Sequence, residues 1–350
     1  MRTKKDLLNA LKKELILQKD YLVGEKISTI YFGGGTPSLL NSNELNEIFE
    51  TIYNLHSIEE NPEITIEANP DDLTRTYLDD LKKNTPINRF SIGVQSFFDE
   101  DLAFMNRAHN AVQADAAIKY AQDIGFTNLT IDLIYGVPTS DNARWEKNLD
   151  RALSYNLPHI SSYALTVESG TALHAQIKKK KTLPVEDEKA AEQFNILIKK
   201  LSENNYDHYE ISNFARAGHY ARHNSNYWLG AKYLGIGPSA HSYNGISRQW
   251  NVAHNINYIK SINDNQIPST EEILTLDQRY NEYVMTRLRT IWGCDIKEIS
   301  EKFGKKYENY FEKNIEKFIE CLWLRKKENI LTLTSAGKLM ADFITQDLFF

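Results

Sequence analysis

Between Lys26 and Leu165 the chain alternates two hydrophobic patterns. Short runs rich in β-branched and aromatic residues, KISTIYF, EITIEAN, RFSIGVQ, LTIDLIYG and HISSYAL, are separated by longer stretches with apolar residues three and four apart: NELNEIFETIYNL, DDLTRTYLDDLKK, AVQADAAIKYAQDIG and ARWEKNLDRALSY. The first pattern predicts strands and the second predicts helices. Their alternation is a βα repeat, whose right-handed crossovers imply a parallel sheet or barrel. No repeat of fixed period accompanies it.

A parallel strand covered on both faces normally reads as a continuous apolar run. Here one face is small or polar: Thr65 and Glu67; Ser91, Gly93 and Gln95; Thr130 and Asp132; Ser162 and Ala164. The other face carries Ile64 and Ile66, Phe90, Ile92 and Val94, or Ile131 and Leu133. Four strands thus bring polar groups to one level near their carboxyl ends. That fits an open barrel with a ligand in its lumen better than a doubly wound sheet with polar strand ends.

Beyond the repeat, the lysines at 178–181 and ThrLeuPro at 182–184 read as a solvated linker. EDEKAAEQFNILIKKLSENN predicts a helix, and residues 207–260 are rich in Tyr, His, Asn and Gly. From about Leu276 the pattern is helical again, and ILTLTSAGKLMADFITQDLF predicts a β wing followed by a helix capped near Thr334 or Ser335. These shifts divide the chain into a partial barrel at 1–182, its continuation at 183–274 and a small, mainly helical, winged-helix-like domain at 275–350. A winged helix can bind DNA, but the acidic balance and the lack of a basic recognition helix favour a packing or lid module.

Composition narrows the function classes. The 350 residues are 41% hydrophobic and 25% charged, the balance of an ordinary soluble protein, with no apolar run long enough to cross a bilayer. The opening MRTKKDLLNALKKELILQ is amphipathic and contains no signal-peptide core, so the cytoplasm is the expected location. A net charge of −6 gives no general attraction to nucleic acid. The only cysteines, Cys294 and Cys321, have no CxxC spacing and are expected to be two buried structural thiols. Nothing in the pattern fixes an oligomeric state.

IYFGGGTPSLL, residues 30–40, puts three glycines between a strand and a helix. It fits neither the dinucleotide GxGxxG spacing nor the phosphate loop. Successive glycines expose backbone amides and carbonyls to a closely approaching ligand, and carbonyls suit a cation such as an ammonium. A plain strand-to-helix turn capped by Asn41 or Ser42 would explain the same residues. Glu67 ends its strand at the level to accept hydrogen bonds from a diol or an ammonium, or serves as a helix-entry carboxylate. Gln95 and Arg107 could hold a carboxylate, or Arg107 is an ordinary surface arginine. Asp132 is more telling, because a carboxylate in so apolar a strand costs several kcal/mol unless it is paired or faces water or ligand.

YFGGGTPSLL, ITIEANP, FSIGVQSF with NRAH, IDLIYGVP and YALTVESGT, in this order, resemble the radical S-adenosylmethionine enzymes. Within these, the chain resembles the oxygen-independent coproporphyrinogen oxidases and their HemW-type heme-chaperone relatives, from about residue 26 to 260 and more weakly to the end. The resemblance implies a partial (β/α) barrel that binds S-adenosylmethionine. Gly34 would hold its methionine amino end and Glu67 its polar groups. Gly35, Thr36, Gln95, Arg107, Asp132 and Ala164 match positions that hold a second S-adenosylmethionine in the oxidase branch. The family's 4Fe-4S cluster is held by a C-x3-C-x2-C loop after its first strand, whereas this chain has no cysteine before Cys294. The chain as it stands is therefore expected not to make the radical. Two explanations fit: Met1 is an internal start with the first strand and cluster loop missing, or this is a relative that has lost its cluster. Under the first, KISTIYF would be an uncovered barrel edge.

HisAsnSerAsnTyrTrp at 223–228 matches the HNxxYW motif of the heme-chaperone branch. A neutral imidazole from His223 can coordinate heme iron, and Tyr227 and Trp228 offer flat apolar surface to a macrocycle. His219 and His241 are alternative ligands, and a hydrogen-bonded histidine is the plainer reading. The resemblance implies a heme-binding protein that hands heme to acceptor hemoproteins. The alternative is a coproporphyrinogen dehydrogenase that converts propionate side chains to vinyl groups.

Overall fold

In the computed structural model, residues 2–180, 182 and 184–350 are described, without the side chains of Arg2, Thr3 and Ala172. Met1, the end of the lysine run at Lys181 and the boundary residue Leu183 lie outside the description. The runs of alternating pattern become strands β1 (Ile27–Phe32), β2 (Ile58–Ala68), β3 (Arg89–Gln95), β4 (Asn128–Tyr135) and β5 (His159–Ala164). With β6 (Asp207–Glu210) and β7 (Asn213–Ala215) they form one sheet in the order β1-β2-β3-β4-β5-β7-β6. The pairs β2–β3, β3–β4 and β4–β5 are parallel, β7 runs antiparallel to β5, and β6 closes the row antiparallel to β7. From β1 to β5 the order never reverses, which separates this partial (β/α) barrel from a doubly wound sheet with its switch point.

The helices between the strands begin where the sequence supplies caps. Thr74 accepts from the Tyr77 amide ahead of Arg75–Asn84, and Asp141 accepts from Arg144 ahead of Asn142–Ser154. Asn110 and Gln113 form a reciprocal capping box on Ala111–Ile124, and Gly125 ends that helix in the left-handed region. Apolar faces of these helices, including Leu78, Leu81, Ala117, Ile118, Trp145 and Leu149, are buried, as are Ile64, Ile66, Phe90, Ile92, Ile131 and Leu133 of the strands. Burying side chains of this size stabilises the fold by about 1.5–3 kcal/mol each. No helix among the described residues is long and apolar enough to cross a membrane.

The chain divides into two compact units. The first comprises residues up to Ile30, Ser42–Glu63 and Arg222–Phe350; the second comprises Tyr31–Asn41 and Ile64–Ala221. Within the first, β1 is the edge of the sheet, and the helix Arg222–Trp228 covers part of it: Asn226 donates to Ser28 at 3.1 Å and the His223 ring meets the Thr29 hydroxyl at 2.9 Å. The edge is thus met by side chains rather than left bare. The segment rich in Tyr, His and Asn also forms a hairpin, β8 (His241–Tyr243) and β9 (Ser247–Asn251), with β10 (Ser269–Ile273) on its outer side. The tail is winged-helix-like: helices Leu276–Leu288, Ile296–Phe303 and Lys305–Glu320 precede the hairpin Leu324–Lys327 and Ile330–Leu333, to which Cys294–Asp295 adds a third strand. Thr334 caps the following helix by accepting from the Gly337 amide.

Candidate functional site

The registers show how four strands build one polar surface. Thr65 and Glu67 stand beside Arg89 and Ser91, Ser91 beside Thr130, and Asp132 beside Ser161. Residues paired across parallel strands share a face. At the carboxyl ends of these strands lies a cavity of about 320 Å³, lined by Gly35, Thr36, Glu67, Gln95, Arg107, Asp132 and Tyr163 among others. Six residues singled out in the sequence, Gly35, Thr36, Glu67, Gln95, Arg107 and Asp132, thus border one cavity.

On β5 the sequence expectation fails. There the register puts Ser161 level with Asp132, and Tyr163 reaches the cavity, so Ser162 and Ala164 point the other way. The doublet Ser161-Ser162 hides the phase of the alternation, and a half-exposed tyrosine reads as an outer residue. Ala164 pairs with Tyr135 at the strand end and does not line the cavity.

The glycine turn is shaped to approach a ligand. Gly34 and Gly35 have φ of 72° and 149°, in the range that favours glycine, and nothing lies within 4 Å of where their side chains would start. At Gly33 a Cβ would strike the Glu67 carboxyl at 2.9 Å, so this position must stay bare for the turn to reach β2. Glu67 accepts from the Tyr31 hydroxyl at 2.7 Å and from the Gly34 amide at 3.3 Å. Tyr31 was not singled out in the sequence, and its place directly before PheGlyGly is the signal that could have found it. Burial and the adjacent Glu67 charge push its phenol well above the usual tyrosine range, which keeps it a donor.

Asp132 behaves as its setting requires. Burial pushes its pKa up to about 6; hydrogen bonding from Ser161 and Ser91 and the charge of Arg89 oppose this, and the charge of Glu67 adds to it. Burial lowers the Arg107 guanidinium somewhat, against the pull of Asp132. Gln95 adopts φ of 66°, left-handed for a non-glycine residue, at the irregularity where β3 leaves its register with β4. Such a conformation costs on the order of 1–3 kcal/mol. It folds the Gln95 amide over Gly93, whose Cβ would lie 2.9 Å from it.

Two buried groups brace the loops around the cavity. His109 of NRAH meets the Val94 carbonyl at 3.0 Å, and burial keeps its pKa low. Asp101 accepts from Ser96 at 2.9 Å and Thr139 at 2.7 Å, which ties the loop after β3 to the loop after β4.

The donor set fits S-adenosylmethionine: open backbone at Gly34 and Gly35, two carboxylates for cationic groups, and an arginine with an amide for a carboxylate. It does not fit a cluster. Among the described residues no group of three or more His, Cys, Asp or Glu could hold a metal ion. Cys294 is buried with its thiol pushed up by burial, and Cys321 is exposed, so only one of the two expected buried thiols is buried.

In the first unit, the helix carrying HNSNYW is held at its start by Glu63, which accepts from the amides of Arg222 at 3.0 Å and His223 at 2.9 Å. This satisfies two amides a short helix leaves open. The His223 ring meets the Thr29 hydroxyl through Nδ1 at 2.9 Å. Tyr227 is exposed and packs edge-on to Trp228 at 5.2 Å, while Arg289 lies over the Trp228 ring at 5.5 Å. His219 is exposed in the second unit, and His241 is exposed on β8.

Known proteins share this architecture. The radical SAM superfamily model matches residues 5–152 and the HemN C-terminal domain model matches residues 274–340. The structure of coproporphyrinogen III oxidase (HemN) from Escherichia coli superposes with a TM-score of 0.84 at 23% identity, over 99% of this chain and 83% of that one, which supports the fold. The heme chaperone HemW of Bacillus subtilis is 33% identical over 96% of this chain and 89% of its own length. That of Mycobacterium tuberculosis is 31% identical over 97% and 85%. With a third of its residues identical over nearly the whole of both chains, the chain belongs to the HemW heme chaperone family of radical SAM proteins.

Proposed function

We propose that this protein binds heme and passes it to acceptor hemoproteins. The observation that carries this reading is the HNSNYW helix: Glu63 and Thr29 fix its orientation, it directs one imidazole nitrogen to Thr29, and it sets Tyr227 and Trp228 together on the same short turn. An imidazole with one nitrogen tied to a hydroxyl has a set ring orientation, which is one way proteins prepare a histidine for iron. The identity to heme chaperones over nearly the whole chain supports the same conclusion.

S-adenosylmethionine is the second ligand in this reading. Gly34, Gly35 and Thr36 would hold its amino acid end, Glu67 and Asp132 its cationic groups, and Gln95 with Arg107 its carboxylate; Ala164 would contribute backbone only. Bound there, the molecule would supply a sulfonium, the precursor of a radical in proteins that carry a cluster. No radical step is assigned to the residues described. Coproporphyrinogen conversion is the weaker reading, because the relatives at 31–33% identity over most of the chain are heme chaperones, and vinyl product from coproporphyrinogen and S-adenosylmethionine would reverse that order.

The direct test is hemin titration of the wild type and His223→Ala. Loss of binding with an unchanged circular dichroism spectrum is expected. Unchanged binding would remove His223 from the heme site.

A further inference from the structure

Beneath the cavity the barrel interior stays polar. Thr65 and Thr130 precede Glu67 and Asp132 by two residues, on the same face and about 6.6 Å deeper, and Arg89 and His159 stand beside them on β3 and β5. Arg89 is only 3% exposed, and its guanidinium donates to the Thr130 hydroxyl. That bond turns the side chain across to β4 and sets its charge one layer below the Asp132 carboxylate. His159 meets the Tyr209 hydroxyl through Nε2 at 2.8 Å, and burial together with the charge of Arg89 holds its pKa well below the usual histidine value. It is neutral, so Arg89 is the cation of this layer.

A brace between β3 and β4 needs only a neutral donor. A guanidinium is a costly way to make one, because it carries its charge out of water and cannot shed it. What it adds is a fixed positive charge for its neighbours. Facing Asp132 are Glu67 from β2, Arg89 from β3, Tyr31 from β1, Tyr163 from β5 and Arg107 from the loop after β3. Burial pushes both phenols well above their usual range, and they stay neutral. Two carboxylates are thus set against two guanidiniums. Arg107 borders the cavity itself, where an incoming carboxylate would engage it, whereas Arg89 lies below and keeps its charge for Asp132 and Glu67. An ionised Asp132 attracts a sulfonium; a protonated one treats a sulfonium and a neutral thioether nearly alike. The state of this one carboxyl therefore decides selection by charge.

We infer that Arg89 is a positioning residue of the cavity, whose fixed charge beneath Asp132 keeps that carboxylate ionised and so makes the cavity select a sulfonium over the matching thioether. The inference rests on S-adenosylmethionine being a ligand of this protein and adds the group that sets its selection.

Calorimetric titration of the full chain with S-adenosylmethionine and with S-adenosylhomocysteine, between about pH 5 and 9, tests it on the wild type, Arg89→Gln, Arg89→Lys and Thr130→Val. The Asp132 carboxyl is followed in parallel by carbon-13 NMR without ligand, assigned by its loss in Asp132→Asn. In the wild type the preference for the sulfonium should rise about fivefold with pH, with its midpoint near the Asp132 value of about 6. Arg89→Gln should move that midpoint up by about one pH unit, as loss of a nearby opposite charge implies, and Arg89→Lys should restore it. Thr130→Val should move it the same way by less, since the charge remains but loses its tether. An unmoved midpoint in Arg89→Gln would overturn the role of Arg89. So would a preference lowered equally at every pH, the mark of a merely structural arginine. Should Arg89→Gln fail to fold by circular dichroism, an unmoved midpoint in Thr130→Val overturns it instead. If the carboxyl midpoint moves but the wild type binds neither ligand, the hold of Arg89 on Asp132 is upheld, and the selection and the S-adenosylmethionine reading are overturned.

Discussion

The cavity at the strand ends and the histidine-bearing elements of the first unit are built by different means. In the cavity, Glu67, Gln95 and Asp132 sit at the ends of successive strands, Tyr31 and Gly34 lock the Glu67 carboxylate, and Gly35, Thr36 and Arg107 come from the connecting loops. On the other side of the comparison, His223 and His241 stand on a seven-residue helix and a short hairpin, with Tyr227 and His241 open to solvent. Charge-assisted bonds on a rigid frame suit a ligand that must be held in one pose. Imidazole and aromatic surface at the exterior suit one that must come and go. Under the proposed function, the chain would separate retention from exchange by the elements it uses.

The largest effect should come from breaking the retaining site. Glu67→Ala is expected to weaken S-adenosylmethionine binding about 100-fold in calorimetry, since it removes charge-assisted hydrogen bonds worth about 2–3 kcal/mol, and to leave hemin binding unchanged. A parallel loss of hemin binding would erase the separation. Next, Thr29→Val should weaken hemin binding about tenfold by releasing the His223 ring, with no change at the cavity.

Asp132 makes the comparison sharper through pH. Its folded pKa, about 6, lies above the ordinary value of 3.8, so the fold favours its protonated form. Its contribution to stability is complete below pH 3.8 and is lost as pH rises through about 6. Binding of the cationic sulfonium should move the opposite way, strengthening about fivefold over the same rise as the carboxylate ionises. Asp132→Asn should flatten both profiles, which denaturant titrations and calorimetry between pH 4 and 8 would show. The smallest effect is expected from Asn110→Ala, which removes the cap ahead of Ala111–Ile124 and should cost about 1 kcal/mol in urea unfolding.

Much of the barrel and its cavity was legible because burial is expensive for polar groups. A carboxylate in LTIDLIY or a glutamate closing EITIEA has few structural reasons to be there, so its position points inward to a ligand. The phase of β5 was not legible, because Ser161 and Ser162 satisfy either face until a neighbouring strand fixes the register. Nor was the segment from Asp207 to Asn251, whose strands of three to five residues are too short to show a period. Their positions come from partners remote in sequence, such as Glu14 beneath Gly237 and Glu63 at the start of the His223 helix. Cys321 shows the limit of composition: a cysteine usually packs inside, but this one ends a helix at the surface.

Glu14 has a consequence for how the chain is made. Its partners Gly237, Asn251 and Tyr258 lie 223, 237 and 244 residues further along. At a synthesis rate of about 5–20 residues per second, the helix Arg2–Leu17 waits on the order of ten to fifty seconds for the last of them. Throughout that interval Leu7, Ala10, Leu11 and Leu17 have no Tyr258 or Ile262 to pack against. The uninterrupted stretch from Ile64 to Ala221 can meanwhile fold on its own contacts. The helix that leaves the ribosome early is therefore among the last elements to be sealed, and the nascent protein must keep an apolar stripe soluble until its final third has been translated.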